Sequence, residues 1–310
     1  VLIVSLEDSR DEVRRRIKAA RLRHGIGKDE VAGWLHYTTP AGVTMADLVE
    51  GSPAIGKLEG MIRDAIKRLG IDVVSCDPFV KAHTLPENDN MAIDFVCRLL
   101  TRIAHEMNVA TDTCHHTKKG ATEAGNADNG RGATSLKDAG RLVYTITKMT
   151  GDEAGLFGIG ERERLLYVRY DSAKVNICPP SGDAEWFKLV GMPLGNGDEV
   201  YKEGDTVQTV EPWTPPDAWA GLSYAKLNEI LTAIDAGLEG GSRYSDHGSA
   251  KGRAAWKVVQ AHAPDKTEKQ CRAIIAGWVA SGTLESREYE DAKRREMIHG
   301  LYVVASKRPG

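Results

Sequence analysis

Three stretches of the chain bring together side chains that can move a proton or hold a cation, and each follows an apolar run. The first is Ser5-Leu6-Glu7-Asp8-Ser9, the second Ser75-Cys76-Asp77-Pro78, and the third Cys114-His115-His116-Thr117-Lys118-Lys119-Gly120. In a parallel sheet, ligands bind outside the carboxyl ends of the strands. If the three runs are neighbouring strands, their acids, imidazoles and amines line one cleft. The chemistry this set suits is phosphoryl transfer. An apolar strand ending in Asp offers a carboxylate to Mg²⁺, directly or through water. A second carboxylate on the next strand can polarise an attacking water, a histidine can sense a terminal phosphate, and an arginine can neutralise developing charge.

Taken singly, each residue also has a plainer reading. Glu7 and Asp8 could be an acidic pair at a helix N-terminus, favoured by the dipole. Asp77-Pro78 could be a strand-to-loop turn. His115 and His116 could be a structural pair or metal ligands, although no third ligand stands at close spacing. Arg141 could be a surface strand residue, while Cys76 and Cys114 read as small core-edge residues rather than reactive thiols.

The elements that must position these groups are legible in the apolar pattern. Residues 1–6 form a fully apolar run, as expected of a strand buried on both faces, and residues 7–25 follow as a charged helix. Residues 57–69 predict a helix closed by Gly70, and 71–75 a second buried strand. Residues 90–107 carry helical spacing, and 109–114 predict a third strand in which Asp112 places a charge where burial is expected. Residues 141–147 and 165–170 predict two further strands, antiparallel or at an edge. Alternation of strand and helix implies an α/β fold with a doubly wound, mostly parallel sheet.

Prolines at 212, 215 and 216 mark residues 212–221 as a linker between a core of residues 1–211 and a small domain of residues 222–310. The small domain predicts helices over 222–234, 254–262 and 267–281, the last capped by Asp265 or Thr267. A hairpin of 283–289 with 299–304 then gives a winged-helix outline. Residues 220–310 hold 14 Lys and Arg against 11 Asp and Glu, whereas residues 1–219 hold 27 against 33. That asymmetry points to a polyanion at the C-terminal end. Five cysteines without a CxxC pair fit reduced thiols. With no apolar run of membrane-spanning length and no signal peptide, a cytoplasmic protein with no membrane partner is expected.

Matched in order, the stretches resemble the RepA-like branch of the RecA/DnaB superfamily of hexameric replicative helicase-type ATPases. The similar segments are Leu6-Glu7-Asp8, Cys76-Asp77-Pro78, 115–120, Arg131-Gly132-Ala133-Thr134-Ser135-Leu136-Lys137-Asp138-Ala139-Gly140-Arg141 and Val168–Asn176, covering residues 1–180. The resemblance implies a RecA-like core using ATP and Mg²⁺, assembled as a homo-oligomeric ring on DNA. It implies that Glu7 activates water, that Asp77 is the metal-holding carboxylate, and that His116, beside His115, senses the γ-phosphate. Arg141 becomes an arginine finger acting across a subunit boundary, with Arg131 and Lys174 near the nucleotide or the interface.

The family's phosphate-binding loop, GxxxxGK[ST], should precede the first strand, and the chain opens on Val1 within that strand, so the loop is expected upstream of it. Gly51-Ser-Pro-Ala-Ile-Gly56-Lys57-Leu58 resembles this loop by coincidence. It follows the Glu7 strand, has Leu58 where a hydroxyl must reach Mg²⁺, and contains a proline that lacks an amide donor. As it stands, the chain is expected to bind ATP weakly or not at all. In the small domain, Lys269 and Arg272 predict a free basic helix face, and Lys293, Arg294 and Arg295 a wing tip able to reach a DNA backbone; the same face could serve protein binding. Besides an ATP-driven DNA motor, two functions fit: a non-catalytic DNA-binding protein on a degenerate RecA-like core, or a metal-dependent hydrolase using Glu7, Asp77, His115 and His116.

Overall fold

A computed structural model describes residues 1–118, 123–132, 134–176, 184–247, 250–291 and 296–309. Lys119, Gly120, Ala133, Cys178 and the expected wing-tip residues Lys293, Arg294 and Arg295 lie outside the described residues. The chain packs as two units, Val1–Thr147 with Val168–Trp213, and Lys148–Tyr167 with Thr214–Gly310. The second unit thus takes in a segment that the sequence reading includes in residues 1–211.

The first unit begins with β1 (Leu2–Ser5), α1 (Arg10–His24), α2 (Lys28–Val31), β2 (His36–Thr38), the pair β3 (Ala46–Val49) and β4 (Ser52–Ile55), and α3 (Lys57–Leu69). There follow β5 (Val73–Asp77), α4 (Asn90–Met107), β6 (Ala110–Thr113), α5 (Ser135–Ala139) and β7 (Leu142–Lys148). A four-stranded sheet has the order β2-β1-β5-β6, and each neighbouring pair is parallel. This mixed α/β architecture fits a RecA-like core. Leu2, Val4, Val74 and Cys76 enter a core completed by Leu58, Ile62 and Ile66 of α3 and by Ile93, Val96 and Ile103 of α4. Burial of each such aliphatic side chain contributes about 1.5–3 kcal/mol. Gly70, with φ 63°, closes α3 in the left-handed conformation.

Asp112 departs from the expectation of a buried strand. β6 lies at the edge of the sheet with alternating exposure, so Asp112 meets solvent and accepts a hydrogen bond from the Ser75 hydroxyl at 2.9 Å. The charge costs little because the strand is not a central one.

A second sheet has the order β10-β9-β8-β7, built with β8 (Tyr167–Val175), β9 (Glu185–Pro193) and β10 (Thr206–Trp213). Pro212 and Trp213, read from sequence as the start of a linker, are the last residues of β10, opposite Phe187 and Trp186. The edge position of β10 tolerates a proline that cannot donate. Helix α1 lies along β9 and β10, where His24 Nε2 meets the Val210 carbonyl at 2.9 Å and Arg15 pairs with Asp205 at 3.2 Å.

The second unit contains α6 (Gly151–Phe157), α7 (Tyr224–Ala236), α8 (Trp256–His262), α9 (Glu268–Ala280), and the antiparallel pair β11 (Leu284–Asp291) and β12 (Glu296–Val303). Ile230, Leu231, Ile234, Val259, Ile274 and Leu301 make its separate core. Thr267 caps α9, its hydroxyl accepting from the Gln270 amide at 3.2 Å.

Candidate functional site

β1 and β5 are hydrogen-bonded parallel neighbours with Ser5 opposite Asp77, and the Leu6 amide donates to the Asp77 carbonyl at 2.8 Å. That register carries Glu7 and Asp8 out of the sheet beside Asp77. Asp77 ends β5 at an exposed position. Partial desolvation, then the charges of Asp8 and Glu7, hold its carboxyl above the usual aspartate range, opposed by the charges of Arg16 and His116. Five ionisable groups therefore share one electrostatic neighbourhood at the carboxyl ends of the strands. Arg16, which the sequence reading did not single out, sits on α1 and pairs with Asp8 at 3.2 Å and Glu12 at 3.3 Å. Its i,i+4 spacing from Glu12 is that of an ordinary helix-face cation, so the sequence carries no mark of its place beside Asp8.

The turn Asp8-Ser9 opens α1 with the Ser9 side chain accepting from the Glu12 amide at 3.2 Å. Ser9 therefore serves as the helix cap, and Glu7 stands one turn outside the helix. The Cys76 thiol is buried and pushed up to about 12, chiefly by burial, so it is a packed residue and not a nucleophile.

Beyond β6 the chain folds back on itself. Thr117 bridges to Gly130, the Lys118 amide donates to the Asn129 carbonyl at 2.8 Å, and the Arg131 amide donates to the His116 carbonyl at 3.0 Å. His115 Nε2 contacts the Arg131 carbonyl at 2.5 Å. The turn after Arg131 requires glycine: Gly132 has φ +83°, and a Cβ there would lie 2.7 Å from the Glu87 carbonyl oxygen. His116 itself is exposed.

The remaining sequence-derived residues have other partners. Arg131 pairs with Glu87 at 3.1 Å. Lys174 donates to the carbonyls of Lys137 and Asp138 at 3.1 and 2.9 Å, closing the C-terminal end of α5. Arg141 is exposed just before β7, and among the described residues its guanidinium makes no ion pair with Glu7 or Asp77. In the second unit the basic face of α9, expected to be free, is occupied. Lys269 pairs with Asp152 at 2.5 Å, the Thr267 hydroxyl donates to the Gly155 carbonyl at 2.6 Å, and Arg272 pairs with Glu268 at 2.8 Å while standing over the Trp256 ring. For Lys269 and Thr267 the physical reason is α6, which packs on α9 from a segment distant in sequence; Arg272 is held within α9 and by Trp256 of α8.

The stretch Gly51–Leu58 is no phosphate cradle. Ser52–Ile55 pairs with β3, the Gly56 amide donates to the Met45 carbonyl at 2.8 Å, and the Leu58 amide to the Thr44 carbonyl at 2.9 Å. The backbone donors that a phosphate needs are already satisfied.

Among the described residues no group of three or more His, Cys, Asp or Glu side chains is placed to hold a metal ion alone. The residues nonetheless fit Mg²⁺ arriving with a polyphosphate: that ion keeps waters and phosphate oxygens and takes one or two carboxylates, and Asp77 is a carboxylate in a neighbourhood short of positive charge. Residues 1–122 match the family described as an AAA domain. This stretch is therefore similar to an AAA-type P-loop ATPase domain, a class that uses ATP and Mg²⁺. No helix among the described residues is long and apolar enough to cross a membrane.

Proposed function

We propose that the chain is part of an ATP-hydrolysing, DNA-associated motor of the replicative helicase or RepA type, working in plasmid, phage or prophage replication. What most supports the reading is the placement of Glu7 and Asp77 beside each other at the carboxyl ends of two paired parallel strands, with the charge of His116 felt at Asp77. In this reading Asp77 holds Mg²⁺, which neutralises phosphate charge when bound. Glu7 accepts the proton of the attacking water, because it is the exposed carboxylate one strand away. His116, held through its carbonyl by the Arg131 amide, contacts the terminal phosphate. Arg141, exposed and without a described carboxylate partner, reaches the nucleotide of a neighbouring subunit in a homo-oligomeric, hexameric ring. His115, Arg131 and Lys174 shape the walls of the site rather than contacting the phosphates, since their polar groups are committed to the loop and to α5.

The reading assigns the second unit to DNA as a winged helix, with α9 as the helix nearest the groove and residues 293–295 at the backbone. Lys269 must leave Asp152 for this contact. The test uses the protein as its gene encodes it. Mg²⁺-dependent ATP turnover, stimulated by DNA and lowered ~100-fold or more by Glu7→Gln, is the expected result, together with a ring by native mass spectrometry. DNA binding without any turnover in the intact protein would refute the motor and leave a non-catalytic DNA-binding protein on a RecA-like core.

A further inference from the structure

Two imidazole nitrogens in the first unit, His83 Nε2 and His115 Nδ1, are buried and have no hydrogen-bond partner among the described residues. Both rings line one small cavity of about 10 Å³, and both meet the Phe79 ring edge-on, with centroids 5.1 and 5.7 Å away. Leu136 closes the apolar side, and the Arg131–Glu87 ion pair lies at the rim. A cavity of that volume admits one water, provided it finds two or more polar partners.

The remaining contacts of each ring settle what those partners offer. The Leu85 amide donates to His83 Nδ1 at 3.2 Å, so the proton of the neutral His83 ring resides on Nε2, which faces the cavity as a donor. Burial lowers the pKa of His83 and favours this neutral form. His115 is the converse: its Nε2 lies 2.5 Å from the Arg131 carbonyl, an acceptor only, so Nε2 carries the proton and Nδ1 presents a lone pair. One nitrogen donates and the other accepts. A metal ion is excluded as the shared ligand, because His83 Nε2 has no lone pair to give while its Nδ1 accepts from Leu85.

We propose that one buried water joins His83 Nε2–H to His115 Nδ1, and that His83 is thereby a positioning residue for the loop carrying His116 and Arg131. The bridge fixes the tautomer and the rotation of His115. His115 in turn holds the Arg131 carbonyl, and the Arg131 amide holds the His116 carbonyl. The chain of contacts runs from the segment after β5 to the segment after β6 and ends at His116, so His83 acts on the candidate phosphate site only through other residues.

Histidine side-chain ¹H–¹⁵N spectra of the intact protein at neutral pH, with water-exchange contacts, test the bridge directly. Both rings are expected as Nε2–H tautomers with a contact to a long-lived water. His83→Phe should lose that contact and shift the His115 Nδ1 and His116 amide signals, while His83→Gln, which keeps a side-chain N–H donor, should restore them. An Nδ1–H tautomer at either ring, no bound water, or a His115 signal indifferent to His83→Phe would overturn the proposal. Its consequence for turnover rests on the motor reading: a fall in kcat of about 10- to 100-fold for His83→Phe with KM little changed, partly rescued in His83→Gln. Absence of turnover in the unaltered protein would sink the motor alone, since the spectra need no nucleotide. Equal loss in both variants would sink the positioning role.

Discussion

Asp77→Asn is expected to stabilise the nucleotide-free protein at neutral pH while, under the function proposed above, abolishing Mg²⁺-dependent turnover. The carboxyl of Asp77 lies above the usual range, first through desolvation and then through Asp8 and Glu7. Its folded-state affinity for a proton thus exceeds that in the unfolded chain. Between the unfolded and the raised folded value the native state binds more protons, so stability falls as pH rises through that window, and the penalty is fully present above it. Two unit charges ~4 Å apart repel by ~1 kcal/mol in a water-like medium and ~4 kcal/mol at a dielectric constant near 20, and by less in proportion as they stand further apart. Asp77 is exposed, and Arg16 compensates part of the charge of Asp8, which brings the screened cost to about 0.5–1 kcal/mol. For a unit of this size that corresponds to about 1–4 °C in Tm. Thermal unfolding at neutral pH and low salt reads the gain, which should shrink in high salt and on acidification into the carboxylate range. With Mg²⁺ and ATP added to the intact protein the order should invert, because only the unaltered protein gains from the bound ion. A lower Tm for Asp77→Asn at neutral pH and low salt would refute the reasoning, since it would mean that Asp77 is held by favourable partners rather than strained by like charges.

Glu7→Gln should separate chemistry from stability: turnover falls ~10²–10⁴-fold, while unfolding in urea shifts by less than about 0.5 kcal/mol. Gly56→Ala places a Cβ 2.2 Å from the Thr44 carbonyl oxygen and is expected to cost about 1–3 kcal/mol without changing nucleotide affinity; a change in affinity at unchanged fold would return that loop to the phosphate site. Thr267→Ala removes both the cap of α9 and the hydrogen bond to Gly155, with an expected loss of about 1–2 kcal/mol, read by calorimetry as a lower transition for the second unit.

The helices that pack the first core were legible because their apolar spacing and their terminal residues agree. Lys57–Leu69 ends at Gly70, and Asn90–Met107 runs from an Asp89 cap to a left-handed Asn108. Asp77 and Glu7 were legible because apolar runs end there. β2, the β3–β4 pair, β9 and β10 were not, since few of their residues are fully buried and the strands carry polar or proline residues. Such strands exist by virtue of their partners, and pairing between distant segments leaves little mark on either one. His83 escaped notice for a related reason: nothing in Val80–Pro86 marks a histidine whose significance lies in a ring 32 positions away.

The basic face of α9 shows the same principle acting on function. Periodicity correctly divides this helix into an apolar side, with Ile274, Ile275 and Trp278 buried, and a side bearing Lys269 and Arg272. It carries no information on what lies against the second side, and there α6, from a segment more than 100 residues earlier, meets Lys269, while Arg272 meets Trp256. Asp152 offers Lys269 the carboxylate that a phosphate would otherwise replace. The pair is exposed, so it contributes little to stability, within about 1 kcal/mol, and a polyanion able to release counterions can compete for the lysine. Asp152→Asn should therefore raise the affinity of the intact protein for DNA severalfold at low salt, measured by fluorescence anisotropy, with the gain lost at high salt. If affinity is unchanged at low salt while DNA still binds, Lys269 is a structural clasp on α6 and the DNA contact lies on another surface.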